Sequence, residues 1–426
     1  MKHFRYFLSV FLLCFGCTPL LAQNFIRVSG RVTDALKAVP LPFASIAVAN
    51  SNLGTVTNDE GAFQMNIPSA NINEYLLFTY LGYQTRKIAI TEMTGHEVSI
   101  GLQPKPLELS EVEILGLTPQ EVIRRAVENI PSNYGKDSLI LTAYIRVQKT
   151  ANHKLAEYTE AIVEDLKDGY YLYRRNEMDD KFRRSNLPHL KKGRVISDTS
   201  LVNALEETGK DATCLSCNFK EDLVEFYPRT VLDEKEFSNY DFRMEEEVNP
   251  DGGKYYHIAF DQKANLNKSL WKGEILIESV GFAICKISMK PSLRAYPHYE
   301  KTKYRHSFSI MGTSGWIKEM PMGETQVTYS RKGEKYCLNT IRNDYLIIYT
   351  NPQTGIRFKT RYRNDVVVTD MTRDPEMIRN FRGDKTLGIG QRWDQIAGPP
   401  DPEFWAGFNY LPIEEKLRQE LSEIQK

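Results

Sequence analysis

The chain has 426 residues, enough for two or three domains, and its 55 acidic and 55 basic side chains leave no net charge. That balance excludes a broad basic surface of the kind that binds nucleic acid or anionic lipid. Hydrophobic residues make up 41% and aromatic residues 11% of the chain. Because aromatic residues favour strands, this composition predicts a globular, mainly β protein.

The first 23 residues predict a secretory signal. Lys2 and Arg5 are basic, residues 7–15 are apolar, and Ala22-Gln23 supplies a small residue at a cleavage site. The apolar run is too short to span a bilayer, and no apolar run after it is long enough to cross one as a helix. Cys17 leaves lipidation as an alternative. We therefore expect an exported protein that is periplasmic or associated with the outer membrane.

Residues 24–104 predict a small β-sandwich. Short runs of alternating apolar and polar residues follow one another, and no helical period interrupts them. Asn58, Asp59 and Gly61 form a predicted turn, because Asn and Asp hydrogen-bond their own backbone and Gly accepts positive φ.

Three motifs in this segment occur in a specific order and spacing. They are GRVTD at 30–34 with PLPFA at 40–44, GTVTNDEGAF at 54–63, and FTYLGYQT at 78–85. Together they resemble the carboxypeptidase regulatory-like domain, a transthyretin-like sandwich found at the N-termini of gram-negative envelope proteins. One departure is Asn58, where that family usually has Asp, and this change preserves the turn chemistry.

Residues 105–135 are predicted as a linker strand and a helix. The strand covers 107–114, and the helix starts at Thr118-Pro119 with Glu121 completing a capping box. Ile123 and Ala126 lie on its apolar face, which predicts a packing helix.

Residues 136–372 predict a larger antiparallel sheet with one helical interruption near 198–208. The stretch from Thr118 through Ala161 resembles a region that follows the sandwich in these envelope proteins. The hairpin WKGEILI at 271–277 with GFAI at 281–284 is similar to hairpins of lipoprotein-carrier-like curved sheets. Residues 373–426 form a predicted tail with a last helix opened by Pro412, and its DPEFWAGFNY run at 401–410 also resembles the same envelope family. The resulting fold class is mainly β: an immunoglobulin- or transthyretin-like sandwich, then a curved antiparallel sheet with a few helices.

A search for catalytic chemistry finds none. A zinc peptidase needs His ligands paired with Glu, but no His has Glu three residues later, and Ile100 stands where His96-Glu97 would need a second His. Trp316 breaks a nucleophile-elbow pattern, and Trp393 breaks a dinucleotide-loop pattern. We therefore predict no catalytic residue, no cofactor and no metal site.

Four cysteines follow the predicted signal: Cys214, Cys217, Cys285 and Cys337. Cys214 and Cys217 form a C-x-x-C pair that predicts a local disulfide in an oxidising compartment, with redox exchange and half a zinc site as alternatives. Cys285 lies in a strand pattern as a buried small side chain.

Six aromatic residues near predicted loops are candidates for a ligand surface, since aromatic faces bind glycans, peptides and acyl chains. The alternative is that they fill the core of a β-rich fold. They are Trp271, Tyr296, Tyr299, Trp316, Trp393 and Trp405.

These observations favour a non-enzymatic cell-envelope protein in which the sandwich docks and the larger sheet binds an envelope protein or a lipophilic or glycan ligand. One alternative is a periplasmic carrier or chaperone for a lipophilic ligand, which requires an exposed apolar groove. A second alternative is a peptidase-associated hydrolase, which requires a reactive cluster in a cleft.

Overall fold

A computed structural model describes most of the chain after the predicted signal. The described residues are 25–104, 116–171, 188–207, 219, 221–227, 230–248, 255–264, 266–295, 317–382 and 401–424. Strands dominate these residues and helices are few, which confirms the predicted fold class of a sandwich followed by a large antiparallel sheet.

Seven strands form the N-terminal sandwich, in two sheets with the orders β4-β1-β7 and β3-β2-β5-β6. The central strand β1 runs antiparallel to β4 and parallel to β7. The strands are β1 (Phe25–Asp34), β2 (Ser45–Val48), β3 (Gly54–Val56), β4 (Ala62–Pro68), β5 (Tyr75–Thr79), β6 (Arg86–Ala89) and β7 (Glu97–Leu102).

The sandwich core follows from the alternation along its strands. Ile46 and Val48 of β2 and Leu76 and Phe78 of β5 are buried, whereas the residues between them point out of the sandwich. Phe63 packs edge-to-face on Phe78, with ring centroids 5.5 Å apart. The outer face of the β2–β5 pair is therefore left for contacts elsewhere.

The turn at 58–61 forms as the sequence predicts. Asn58 Oδ1 accepts hydrogen bonds from the backbone N–H groups of Glu60 (3.0 Å) and Ala62 (2.8 Å). Gly61 adopts a φ of 72°, in the left-handed region that favours glycine.

Helix α1 (Pro119–Glu128) begins with the predicted capping box. Thr118 Oγ1 accepts from the Glu121 backbone N–H, and the Glu121 carboxylate accepts from the Thr118 N–H. Val122, Ile123 and Ala126 are buried on one face. The short helix α2 (Ile130–Tyr134) follows and ends at Gly135.

Ten strands form the large sheet, in the order β10-β9-β8-β17-β16-β15-β14-β13-β12-β11, with every neighbouring pair antiparallel. Two meanders therefore meet where β8 pairs with β17. The strands are β8 (Leu139–Ala151), β9 (Lys154–Lys167), β10 (His189–Ser197), β11 (Tyr240–Val248), β12 (Tyr255–Gln262), β13 (Trp271–Glu278), β14 (Ile284–Pro291), β15 (Ile317–Lys332), β16 (Lys335–Thr350) and β17 (Arg357–Thr372).

One face of the large sheet is a packed hydrophobic core. Buried hydrophobic side chains from nine strands, β8, β9 and β11 to β17, meet those of α1, α2 and the segment 219–232 there. The described part of this face is thus an interior, whereas the lipophilic-carrier alternative requires an exposed apolar groove.

Four further helices complete the described structure: α3 (Thr199–Glu207), α4 (Pro375–Arg382), α5 (Pro402–Ala406) and α6 (Glu415–Ile424). Helix α3 lies within the predicted helical patch. The last helix starts at Glu415 and not at the predicted Pro412, and Ile413 instead packs with Leu417 and Leu421.

Two local expectations differ from the structure. The aromatic-rich run 170–173 favours a strand by its composition, but Tyr170 lies outside any strand and is buried in the core. Strand β10 was not predicted, because basic residues such as Lys191 and Lys192 interrupt its apolar pattern. The predicted strand at 107–114 lies outside the described residues.

Candidate functional site

The sandwich, the centre of the large sheet and the tail 401–424 meet in one place, which we call the junction. Trp405 of α5 is only 6% exposed there. It packs in one cluster with Val56 of β3, Tyr144 of β8 and Val367 of β17. The Arg194 guanidinium lies over the Trp405 ring, 4.5 Å from its centroid. The tail therefore connects the sandwich to the sheet through a shared apolar cluster.

Hydrogen bonds fix the tail to the sandwich along the same line. The Asn66 backbone N–H donates to Asn409 Oδ1 (2.7 Å), and the Asn66 side-chain amide donates to the Phe408 carbonyl (2.9 Å). The Asn58 side-chain amide donates to the Pro412 carbonyl (3.0 Å). The turn that identifies the sandwich in sequence thus also holds the tail.

Asp59 of this turn lies between two arginines of the large sheet. Its carboxylate is 2.8 Å from Arg342 Nη1 and 3.1 Å from Arg363 Nη1. Burial alone would raise the pKa of Asp59, but the hydrogen bond and charge of Arg342, with the charge of Arg363, lower it below its usual value. The carboxylate is therefore held ionised as an inter-sheet contact.

Behind Asp59, the fully buried Arg146 is neutralised by two carboxylates. Its guanidinium lies 2.9 Å from Asp365 Oδ2 and 2.9 Å from Glu414 Oε2 of the tail. Glu160 beside it accepts hydrogen bonds from Tyr144 and Arg194. These ion pairs compensate buried charges, which indicates a structural role.

A second buried ionic group, the Lys167 cluster, consists of Lys167, Asp165, Asp222 and Glu225. Lys167 Nζ is 2.6 Å from Glu225 Oε2, 3.3 Å from Asp222 Oδ2 and 3.6 Å from Asp165 Oδ2. Desolvation raises the pKa of Asp165 to about 6, against the lowering effect of Lys167.

Tyrosine hydroxyls complete the hydrogen bonding of this cluster. Tyr170 donates to Asp222 Oδ2 (2.9 Å) and Tyr329 donates to Asp222 Oδ1 (2.8 Å). The cluster therefore holds the segment 219–232 onto the sheet. Nearby, desolvation also raises the pKa of Glu221 to about 7, with Tyr345 3.4 Å from its carboxylate.

Beside the junction, a cleft separates the outer face of β2 and β5 from the face of the large sheet opposite the packed core. Its volume is about 750 Å³. Along β15 the alternate positions 324 to 332 line it, together with Tyr329 and Arg331 near the end of the strand, whereas Thr325 and Val327 are buried. Its lining is Pro42, Phe43, Ser45, Ala47, Leu77, Thr79, Tyr80, Leu81, Tyr255, Leu276, Cys285, Lys286, Glu324, Gln326, Thr328, Tyr329, Ser330, Arg331, Lys332, Tyr336, Asn339, Arg342 and Asp344.

Six charged side chains line the cleft, and two of them, Arg342 and Asp344, have ion-pair partners. Arg342 pairs with Asp59, and Asp344 pairs with Arg361 and Arg363. The other four make no ion pair with a described residue: Lys286, Lys332, Arg331 and Glu324. Burial lowers the pKa of both lysines, which marks them as desolvated cations.

Only some of the candidate site residues named from the sequence lie among the residues that the structure describes. Cys214, Cys217, Tyr296, Tyr299, Trp316 and Trp393 lie outside the described residues. Trp405 packs in the junction, and the half-buried Trp271 packs against the core on the opposite face of the sheet, so the structure does not bring these two rings together.

Cys285 and Cys337 are free thiols, and burial raises the pKa of Cys285 to about 12 and that of Cys337 to about 11. Thiols with such pKa values are poor nucleophiles at neutral pH. In the described part of the chain, no three His, Cys, Asp or Glu side chains are arranged to hold a metal ion.

Sequence reasoning did not single out the cleft lysines or Asp59 as contact residues. The cleft lysines lie in ordinary alternating strands, and only the three-dimensional position of the sandwich buries them. Arg146 gave a detectable signal, because a charge within the apolar run 139–147 implies a buried partner.

Comparisons with known proteins agree with the N-terminal motifs. TonB-dependent receptor P3 from Formosa agariphila is 30% identical over 115 residues, which are 27% of this chain and 11% of the receptor. The chain thus matches only about a tenth of that receptor's length. No helix in the described ranges is both long and apolar enough to cross a membrane.

Solved structures give only weak likenesses. A domain named for outer membrane lipoprotein sorting from Vibrio parahaemolyticus has 8% identity and a TM-score of 0.22, covering 60% of this chain and 97% of that chain. A DUF1329 family protein from Desulfovibrio piger has 10% identity and a TM-score of 0.24, covering 61% and 95%. At these scores the likenesses carry no argument about function.

The family whose model matches is the CarboxypepD_reg-like domain, and the match covers residues 28–114. Over these residues the matched family is a regulatory-like domain and not a catalytic one. Residues 28–114 therefore belong to the CarboxypepD_reg-like domain family, as the three N-terminal motifs predicted.

Proposed function

We propose that the protein is a non-enzymatic, exported envelope protein that binds a ligand in the cleft between its sandwich and its large sheet. The observation that carries this proposal is the cleft itself, whose volume of about 750 Å³ lies in the range of small-ligand sites. Its walls come from two regular sheets that the junction holds in place. Such a preformed site requires little ordering on binding.

In this proposal the sandwich is a docking module, and the large sheet of the same chain is the partner onto which it docks. Asp59 and the tail fix it over the sheet, so its outer face becomes one wall of the cleft. The proposed domain division is a signal at 1–23, the sandwich at 24–104, a linker at 105–135, the sheet domain at 136–372 and the tail at 373–426. Export by the predicted signal, to the periplasm or the outer membrane, is part of the proposal.

A substitution that fills the cleft tests this function. Ala47 lines the cleft wall from β2, so Ala47→Trp would occupy the space of a ligand without touching the sandwich core. Leu36→Trp is the matched control, because Leu36 is exposed and lies outside the cleft lining. Both variants should keep the thermal unfolding midpoint of the wild type to within a few degrees.

Immobilised wild type and both variants would be incubated with an envelope extract of the organism of origin. Mass spectrometry of retained glycans, lipids and proteins is the readout. We expect wild type and Leu36→Trp to retain a species that Ala47→Trp does not. Equal retention by all three proteins would contradict a ligand site in the cleft.

A further inference from the structure

Among the charged side chains of the cleft without an ion pair to a described residue, three are basic (Lys286, Lys332 and Arg331) and one is acidic (Glu324), so the unpaired charge is positive on balance. Lys286 projects from β14 and Lys332 from the end of β15, and neither has an ion-pair partner among the described residues. Glu274 and Glu324 attract Lys286, and Asp370 attracts Lys332, through charge interactions at distances longer than an ion pair. Desolvated cations without a counter-ion are stabilised by an anion that enters the site.

The two lysines lie along the length of the cleft. Lys286 pairs in register with Thr328, and Lys332 lies four residues further along β15. At a rise of roughly 3.3 Å per residue, these register positions are about 13 Å apart. That spacing exceeds the size of one carboxylate and suits an elongated ligand with more than one acidic group.

Beside the lysines the cleft offers hydrogen-bonding and aromatic groups. Gln326, Thr328 and Asn339 supply amides and hydroxyls from the large sheet, and Thr79 supplies a hydroxyl from the sandwich. Tyr80 adds an aromatic ring to the sandwich wall. Amides, hydroxyls and an aromatic face together match the hydroxyl groups and the apolar ring faces of a sugar.

The backbone of the cleft walls argues against an extended peptide as ligand. Strand β15 is hydrogen-bonded to both β14 and β16 within its own sheet, and β2 is paired with both β3 and β5. A peptide would therefore find no free strand edge for main-chain pairing inside the cleft. The lysines likewise disfavour an acyl chain, because its binding would bury them without a counter-charge.

Resting on the proposed ligand site, we propose that the cleft binds an acidic oligosaccharide, whose carboxylates pair with Lys286 and Lys332. The sugar hydroxyls then form hydrogen bonds with the amide and hydroxyl groups beside the two lysines. The sandwich face and the sheet face enclose the rings from opposite sides.

Trigalacturonate is a defined probe, and its fully methyl-esterified form is a neutral ligand of nearly the same shape. We expect isothermal titration calorimetry of wild type to show binding of the acid that is at least about tenfold tighter than that of the ester. Lys286→Gln and Lys332→Gln should each weaken binding of the acid by about tenfold, and Lys290→Gln, an exposed change on β14 outside the cleft, should not.

The outcomes separate this inference from the proposed function. No binding of trigalacturonate, equal binding of acid and ester, or tighter binding of triglutamate would each overturn the acidic-sugar assignment. Binding of any of these probes that Ala47→Trp abolishes would still leave the cleft as the ligand site. Acid binding that Ala47→Trp and both lysine variants leave unchanged would overturn both statements. Circular dichroism of each variant would check that it folds.

Discussion

At the scale of single residues, the buried and half-buried charges of this protein are of two kinds. Arg146, Asp59 and Lys167 have carboxylate or guanidinium partners within hydrogen-bond distance and hold separate parts of the chain together. Lys286 and Lys332 have none among the described residues and line an open space. Burial alone would not distinguish the two kinds, whereas the presence of a partner does.

Asp165 makes stability depend on pH. Its folded-state pKa of about 6 lies above the ordinary value near 4, so the folded protein binds a proton that the unfolded chain releases. The Asp165 contribution should therefore be most favourable below about pH 4, decline between about pH 4 and pH 6, and cost up to about 3 kcal/mol above that range. Lys167, Asp222 and Glu225 are the charged groups that face it.

Urea unfolding of wild type and Asp165→Asn between pH 4 and pH 7 measures this contribution by difference. We expect the variant to gain stability relative to wild type as pH rises through this window. Asp137→Asn, at an exposed position, is the control for removing a carboxylate. A wild-type-minus-variant difference that is constant with pH would show that Asp165 does not titrate in this range.

At the scale of elements, the sequence predicts local structure well wherever one signal dominates. The capping box at Thr118 and the turn at Asn58 are satisfied by neighbouring residues alone, and both form as expected. An aromatic residue such as Tyr170 suits a strand and a buried core equally, and its position in the core depends on packing against Tyr134 and a hydrogen bond to Asp222. Strand β10 depends on pairing with β9, which no local pattern reveals.

Gly273 in the middle of β13 shows how a small residue permits close strand pairing. A Cβ atom at this position would collide with the backbone carbonyl of Ser288 on β14. We expect Gly273→Ala to destabilise the protein by about 1–3 kcal/mol, because the backbone would have to shift. Lys272→Ala in the same strand controls for the loss of local propensity, and an equal effect of both changes in urea unfolding would contradict the steric explanation.

At the scale of the whole molecule, the arrangement of the parts was beyond sequence reasoning. The fold class and the sandwich follow from strand patterns and motifs, but the cleft exists only because Asp59 and the tail hold two sheets at a fixed separation. These contacts join residues hundreds of positions apart, such as Asn58 and Pro412. No pattern within a short window of sequence contains that information.

A substitution of Trp405 tests whether the junction couples the sandwich to the large sheet. We expect Trp405→Ala to destabilise the protein by about 3–5 kcal/mol, because a large buried ring would leave a cavity among β3, β8 and β17. Hydrogen exchange measured by mass spectrometry should rise both in the tail and in β3. Leu421→Ala is the control, since Leu421 packs in a different cluster with Leu155 and Tyr158 of β9. Faster exchange confined to the tail after Trp405→Ala would show that the junction does not couple the sandwich to the sheet.

The meeting of β8 with β17 has a consequence for how the polypeptide acquires its structure. Ala151 pairs with Thr360, so the middle of the ten-stranded sheet is completed only after nearly all of the sheet's sequence has been synthesised. Until β8 pairs with β17, each of these strands is an unpaired edge of an incomplete half of the sheet. Long unpaired strand edges are templates for aggregation. Shielding of those two edges until they pair would therefore protect the nascent chain from aggregation.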